Sequence, residues 1–151
     1  WLSSHKAWLH TNRYFYIGPE RDAGLLENSP YVRTNTPKEA DFAIVTGFKE
    51  DDSTLDEVRD ALAGCKAATL PMICANPDKE IVRQDGVHAL CAGVIAEAYE
   101  KMGGQVTYFG KPHSEIYQFI FEKLQVNPNQ AIAVGDNLET DIRGANTLGI
   151  Y

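Results

Sequence analysis

The amino-acid sequence predicts an α/β fold with a largely parallel sheet. Two observations carry that prediction. Short apolar or β-branched runs alternate along the chain with stretches of helical periodicity. Several of those runs also end at Gly, or at Asn-Pro, where a strand must turn over the sheet edge. Hydrophobic residues make up 44% of the 151 positions, enough for a packed core and against wholesale disorder.

The elements follow in order. Arg13-Tyr14-Phe15-Tyr16-Ile17 is aromatic and β-branched, and Gly18-Pro19 stops it. Phe42 to Val45 reads as a short buried strand ending at Thr46-Gly47. Thr54 with Glu57 three residues on forms a capping-box signature. Leu55, Val58 and Leu62 share one face of the helix it opens, and Gly64 is expected to close it. Met72 to Ala75 is a further buried strand, terminated by Asn76-Pro77-Asp78. A second unit is expected from about Leu90, dividing the chain into residues 1–89 and 90–151. Val94, Ile95, Ala98, Tyr99 and Met102 keep helical spacing up to Gly103-Gly104. Val106 to Phe109 is a strand leading into Gly110-Lys111-Pro112, and Pro112 suits a helical first turn. Ile116, Ile120, Phe121 and Leu124 make a helical stripe, and Asn127-Pro128-Asn129 is a turn. Ala131 to Val134 is the most strand-like run, followed by Gly135-Asp136-Asn137 and a polar helix through Asp141, Arg143 and Ala145.

Charge and cysteine usage narrow the function classes. Fourteen Lys and Arg against 21 Asp and Glu leave a net charge of −7, which disfavours nucleic acid and anionic membrane as partners. No run of about 18 apolar residues encodes a membrane span. The first residues lack the apolar stretch of a signal peptide, so the expected location is cytoplasmic. Cys65, Cys74 and Cys91 have neither zinc-ligand nor C-x-x-C spacing and read as buried thiols. His5, His10, His88 and His113 share no metal-site spacing, and Trp1 and Trp8 read as packing residues. The chain opens without Met and stops at Gly149-Ile150-Tyr151, where an apolar strand is starting. Both features lead to the expectation of an internal fragment.

Two strand ends carry the chemistry. Asp136 and Asp141 place two carboxylates five residues apart directly after an apolar run. Ligands of parallel α/β sheets sit outside the carboxyl ends of strands, and a carboxylate there suits a hard cation such as Mg²⁺. Gly135 is expected to permit the sharp turn. The alternative is that Asp136 or Thr140 caps the next helix and Asp141 favours its dipole. Lys111 follows another strand, one helix and one strand earlier, and a cation at the same edge can hold a phosphate. A lone Lys is more often a solvated surface residue. The combination of both strand ends is what gives the signal its specificity.

Phe109-Gly110-Lys111-Pro112-His113, followed by Val134 to Ile142, resembles motifs three and four of the haloacid dehalogenase (HAD) superfamily. Pro71 to Asp78 resembles the cap of subclass IIA, the sugar-phosphate and pyridoxal-phosphate phosphatase-like group. Cys91-Ala92-Gly93 fits the return from cap to core, and Tyr16 to Arg21 with Gly103-Gly104 fits a bacterial branch of it. The resemblance implies an inserted α/β cap over 1–89 and a truncated, Rossmann-like core over 90–151. It implies that Lys111 binds the transferring phosphoryl group and that Asp136 binds Mg²⁺. Asp141 would support the metal or the lysine, with Asn137 a further metal candidate. Asn76, Asp78, Lys79 and Arg83 would contact substrate, although a solvated charged loop explains Lys79 to Arg83 equally well. The implied substrate is a small phosphorylated metabolite such as a sugar phosphate, and a homo-oligomer is possible.

The family's Asp-x-Asp-Gly signature is missing. Its first Asp attacks phosphorus to give an aspartyl-phosphate, and its second is the general acid and base. Asp51-Asp52 precedes Ser53, and Asp85-Gly86 lies between Gln84 and His88, so neither fits. No motif-two Ser or Thr is identifiable. The expectation is a parent phosphatase whose nucleophile lies upstream, and a fragment that is not competent alone. A non-catalytic phosphate- or metal-binding module is the alternative. A receiver-like signalling domain is disfavoured, because Lys111 precedes Asp136.

Overall fold

In a computed structural model the described residues are 11–50, 52–82 and 86–151. Trp1, His5, Trp8, His10, Asp51, Arg83, Gln84 and Asp85 therefore lie outside them. The chain divides by packing into two compact units, residues 1–107 and 108–151.

The first unit is a parallel sheet. Its strands are β1 (Arg13–Ile17), β2 (Val32–Thr34), β3 (Phe42–Val45) and β4 (Met72–Cys74), with β7 (Val106–Tyr108) at the far edge. The order is β2-β1-β3-β4-β7. The pairs β1/β2, β1/β3 and β3/β4 are all parallel. Strand β3 is buried at every position, which is why Phe-Ala-Ile-Val carries no polar alternation. Helix α1 (Leu55–Ala67) starts where expected, with the Glu57 carboxylate accepting from the Thr54 N–H at 3.0 Å. It does not stop at Gly64. The helix runs through that residue, because a Cβ there would lie 3.0 Å from Pro37 Cγ and Gly64 serves close packing instead. Leu62 and Cys65 are buried, whereas Leu55 of the expected apolar face is exposed.

Helix α2 (Ala92–Lys101) packs on the same sheet through Ile95, Ala96 and Tyr99. Tyr99 is fully buried and its hydroxyl donates to Leu70 O at 2.6 Å. Gly104 has no room for a Cβ beside the Tyr99 ring, at 2.3 Å, so the expected stop is a packing requirement. Because α2 and β7 belong to this sheet, the packing division falls at Thr107, beyond the 89/90 boundary expected from the sequence. Strands β5 (Glu80–Val82) and β6 (His88–Leu90) form a separate antiparallel hairpin, so Lys79 to Val82 leads into a strand rather than a loop.

The second unit holds α3 (Ser114–Leu124), a 3₁₀ turn at Pro128–Gln130, a π-helical turn at Leu138–Ile142 and the short α4 (Arg143–Thr147). Pro112 precedes the His113 N-cap of α3 instead of lying in its first turn. The expected strand at Ala131 to Val134 does not form. Its backbone N–H groups donate instead from Ala131 to Pro128 O at 3.1 Å and from Ala133 to Tyr151 O at 2.7 Å. Ile132 and Val134 are 82% and 94% exposed, since no ladder partner covers them.

Candidate functional site

The polar helix after Gly135 begins with a cap. Asn137 Oδ1 accepts from the Glu139 and Thr140 N–H groups at 2.9 and 3.2 Å, satisfying donors that the helix cannot. The cap residue is thus Asn137, not Asp136 or Thr140, and its oxygen is engaged. That winding carries Asp141 back over the turn. One Asp141 oxygen accepts from the Lys111 ammonium, and the other accepts from the Asn137 N–H at 3.2 Å. The Lys111 hydrogen bond, followed by the Asn137 amide, holds the Asp141 carboxyl below the usual carboxylate range.

This closure needs glycine at 135. A Cβ there would lie 2.3 Å from Asp141 Cβ and Cγ. The requirement is space for Asp141 rather than the sharp turn expected, and Gly135 is not among the glycines with positive φ. The same device recurs at Gly144, where a Cβ would meet the Tyr117 hydroxyl at 2.3 Å. Tyr117 feels Lys111 and Asp141 electrostatically, while burial pushes its phenol pKa up. Tyr117 was not among the sequence candidates. Its position beside the hydrophobic stripe of α3 gave no sign of a polar role. The His113 ring stacks on Tyr108, with centroids 4.6 Å apart.

The structure therefore brings Lys111, Asp141 and the Asn137 backbone together, with Gly135 making the space. Asp136 lies exposed at the start of the turn. Chemically, the cluster can hold a dianion beside Lys111 and can offer a cation the Asp136 carboxylate. Both oxygens of Asp141 are engaged, which suits a residue that positions Lys111. Among the described residues, no group of three or more His, Cys, Asp or Glu could hold a metal. A Mg²⁺ that takes one or two carboxylates and retains waters still fits Asp136, with its other ligands supplied from elsewhere.

The remaining candidates lie in the first unit. Asn76 Oδ1 accepts from the Asp78 N–H at 3.2 Å, turning the chain after β4. The backbone carbonyl of Asp78 accepts from the Gly93 N–H at 2.9 Å. A Cβ on Gly93 would lie 2.2 Å from Pro77 O, so this turn and α2 are locked together. Lys79 pairs with Glu97 at 3.2 Å, and Lys101 pairs with the other Glu97 oxygen at 3.3 Å. The Lys79 hydrogen bond leads in lowering the Glu97 pKa. Lys79 is thus part of a structural ion pair, and Arg83 lies outside the described residues. The three cysteines are buried and free, as expected.

Comparisons with known proteins agree on a family. The model of the haloacid dehalogenase-like hydrolases matches residues 13–149. Human chronophin is 28% identical over 109 residues, covering 72% of this chain and 36% of chronophin. Human glycerol-3-phosphate phosphatase is 27% identical over 136 residues, covering 89% of this chain and 41% of that protein. A haloacid dehalogenase-like hydrolase from Brucella suis 1330 superposes with a TM-score of 0.80 at 29% identity, over 92% of this chain and 55% of that one. A p-nitrophenyl phosphatase from Archaeoglobus fulgidus has the same fold, with a TM-score of 0.79 at 22% identity, over 99% and 55% of the two chains. The chain spans well under half of the curated relatives and about half of these solved structures.

Proposed function

The chain belongs to the haloacid dehalogenase-like hydrolase family, and on that premise we propose that it forms part of a Mg²⁺-dependent phosphomonoester hydrolase. The observation that carries this reading is the Lys111–Asp141 pair. It joins the segment after β7 to the turn after Gly135, 30 residues apart in sequence, in one charged cluster within a single compact unit. Glycerol-3-phosphate phosphatase, a relative named for a small phosphate ester, supports a small phosphorylated metabolite as the substrate.

In this reading Lys111 binds the phosphoryl group and offsets its negative charge, which is the main task in phosphoryl transfer. Asp141 positions the ammonium through one oxygen and fixes the loop through the other. Asn137 caps the helix so that Asp141 returns to Lys111. Asp136 would hold the Mg²⁺, which when bound would supply further charge neutralisation. The attacking carboxylate and its acid–base partner come from outside the chain, because no Asp-x-Asp-Gly occurs in it. Chain 1–151 is accordingly a binding and positioning part without turnover of its own.

The test compares the full-length protein with chain 1–151, using p-nitrophenyl phosphate and Mg²⁺. The full-length protein should turn over, its Asp136→Ala variant should lose the magnesium-dependent rate, and the 151-residue chain should be inactive. Equal turnover by the chain and the full-length protein would place a nucleophile within residues 1–151 and defeat this reading. An Asp136→Ala variant with full activity would remove the metal assignment.

A further inference from the structure

The first unit carries a second polar cleft, and the topology of its sheet explains why. From β1 the chain leaves to one side, forms the 3₁₀ helix Glu20–Leu26 and pairs as β2. It then returns to pair on the other side of β1 as β3. The order β2-β1-β3-β4-β7 thus has its topological switch between β1 and β3, where successive connections depart in opposite directions. Crevices of this kind, at the carboxyl ends of parallel strands, are where open α/β sheets bind ligands. The structure has a cleft of about 440 Å³ at this place, within the size range of small-molecule sites. Arg21, Asp22 and Leu25 line it after β1, Thr46 after β3, and Ala75 and Asn76 after β4.

Its floor is rigid. The Tyr16 hydroxyl donates to Pro19 O and shares a hydrogen bond with Thr46 Oγ1, both at 2.8 Å. A Cβ at Gly18 would lie 2.2 Å from Thr46 Oγ1, so glycine is required for this lock. The Arg33 guanidinium stacks 4.8 Å above the Tyr16 ring. Backbone bonds continue past the strand ends into the cleft wall, with Thr46 N–H on Ile17 O and Ala75 N–H on Val45 O, both at 3.0 Å. Among the lining residues, Arg21 carries a guanidinium, Asp22 a carboxylate and Asn76 an amide, while Leu25 and Ala75 are apolar.

We propose that this cleft binds a small zwitterionic metabolite of amino-acid type. Its anionic group meets Arg21 and the Asn76 amide nitrogen, its ammonium meets Asp22, and its carbon chain lies against Leu25 and Ala75. The proposal shares Asn76 with the substrate residues that the family resemblance implies, but every lining residue lies in the first unit and Lys111 and Asp141 take no part.

The ¹⁵N-labelled 151-residue chain provides the test, with L-glutamine as the probe. Two controls each lack one charge: N-acetyl-L-glutamine has no ammonium, and the α-amide of glutamine has no carboxylate. L-Glutamine should shift the amides of Arg21, Asp22, Thr46 and Asn76 saturably, with a dissociation constant on the order of millimolar for so small a ligand. Each control should bind at least about tenfold more weakly, as should the Arg21→Gln and Asp22→Asn variants, since each loses a charge-assisted hydrogen bond. Both residues are exposed, so the β1 and β3 amides should stay in place and show that the fold is intact. No saturable shift at these four residues by about 10 mM, on the same scale of affinity, overturns the proposal. So does equal binding of L-glutamine and both controls, or binding that both variants leave unchanged.

Discussion

Replacing Gly135 by alanine adds one methyl group and tests the whole cluster. The new Cβ would lie 2.3 Å from Asp141 Cβ and Cγ and 2.5 Å from Oδ2. Carbon atoms settle at about 3.5–4.0 Å, so Asp141 must retreat by at least about 1.2 Å. Its bond to the Asn137 N–H already spans 3.2 Å and would not survive such a shift in that direction. The lysine then loses its orienting partner. Overpacking of this kind costs about 1–3 kcal/mol, and a displacement of about 1 Å near reacting groups can cost about 100-fold in rate. In the full-length protein, kcat/KM for p-nitrophenyl phosphate with Mg²⁺ should fall about that far. In the 151-residue chain, a carboxyl NMR titration should show the Asp141 pKa rising from its depressed position towards 3.8. Unchanged turnover together with an unmoved Asp141 titration would refute the argument, because Gly135 would then not be making room for the pair.

Lys111→Ala should also raise the Asp141 pKa, since the Lys111 hydrogen bond is the largest cause of its depression. The sign for stability follows: the Lys111–Asp141 pair contributes above the ordinary carboxylate pKa and is lost as pH falls through the depressed folded value. Acid titrations of wild type and Lys111→Ala should therefore diverge above pH 3.8 and converge below the folded pKa, and parallel curves would deny the coupling. Tyr99→Phe should destabilise the chain by about 1–3 kcal/mol, because it leaves Leu70 O unpaired in the core, and urea denaturation measures this. Burial pushes the Cys65 and Cys74 thiols up to about 12, so neither should react with a disulfide reagent at pH 8 until the chain is unfolded.

Much of the first unit was legible because its signals are local. An unbroken apolar run such as Phe42 to Val45 needs cover on both faces, and only a central parallel strand provides it. Thr54 and Glu57 announce the start of α1 because a capping box operates within one turn. The end of α1 was not legible. Gly64 lies against Pro37, a contact between residues far apart in sequence, and no periodicity contains it. The hairpin β5/β6 was missed for a related reason: its strands are three residues each and mostly exposed, too short to show alternation. The expected strand ends set Lys111 beside Asp136, and it was the family resemblance that implied Asp141 as a support for the lysine, the contact that the structure has. The role of Asn137 as a cap, and that of Gly135 as empty space, required knowing how the following turn is wound.

The strongest strand signal in the sequence is also the one that the structure leaves unmade. Ala131-Ile132-Ala133-Val134 has strand composition, yet Ile132 and Val134 face solvent at 82% and 94% exposure. Full burial of a valine or isoleucine side chain is worth about 1.5–3 kcal/mol each, so the exposed pair forgoes several kcal/mol. The bond from Ala133 N–H to Tyr151 O shows the run beginning to pair along one edge. Local preference and global environment thus disagree here, and such a conflict is resolved when a neighbouring strand covers the run. The relatives are two to three times longer than the matched stretch. Asp136 follows this run directly. A strand laid beside Ala131 to Val134 would therefore bury the apolar edge and fix the position of the proposed metal ligand in one step.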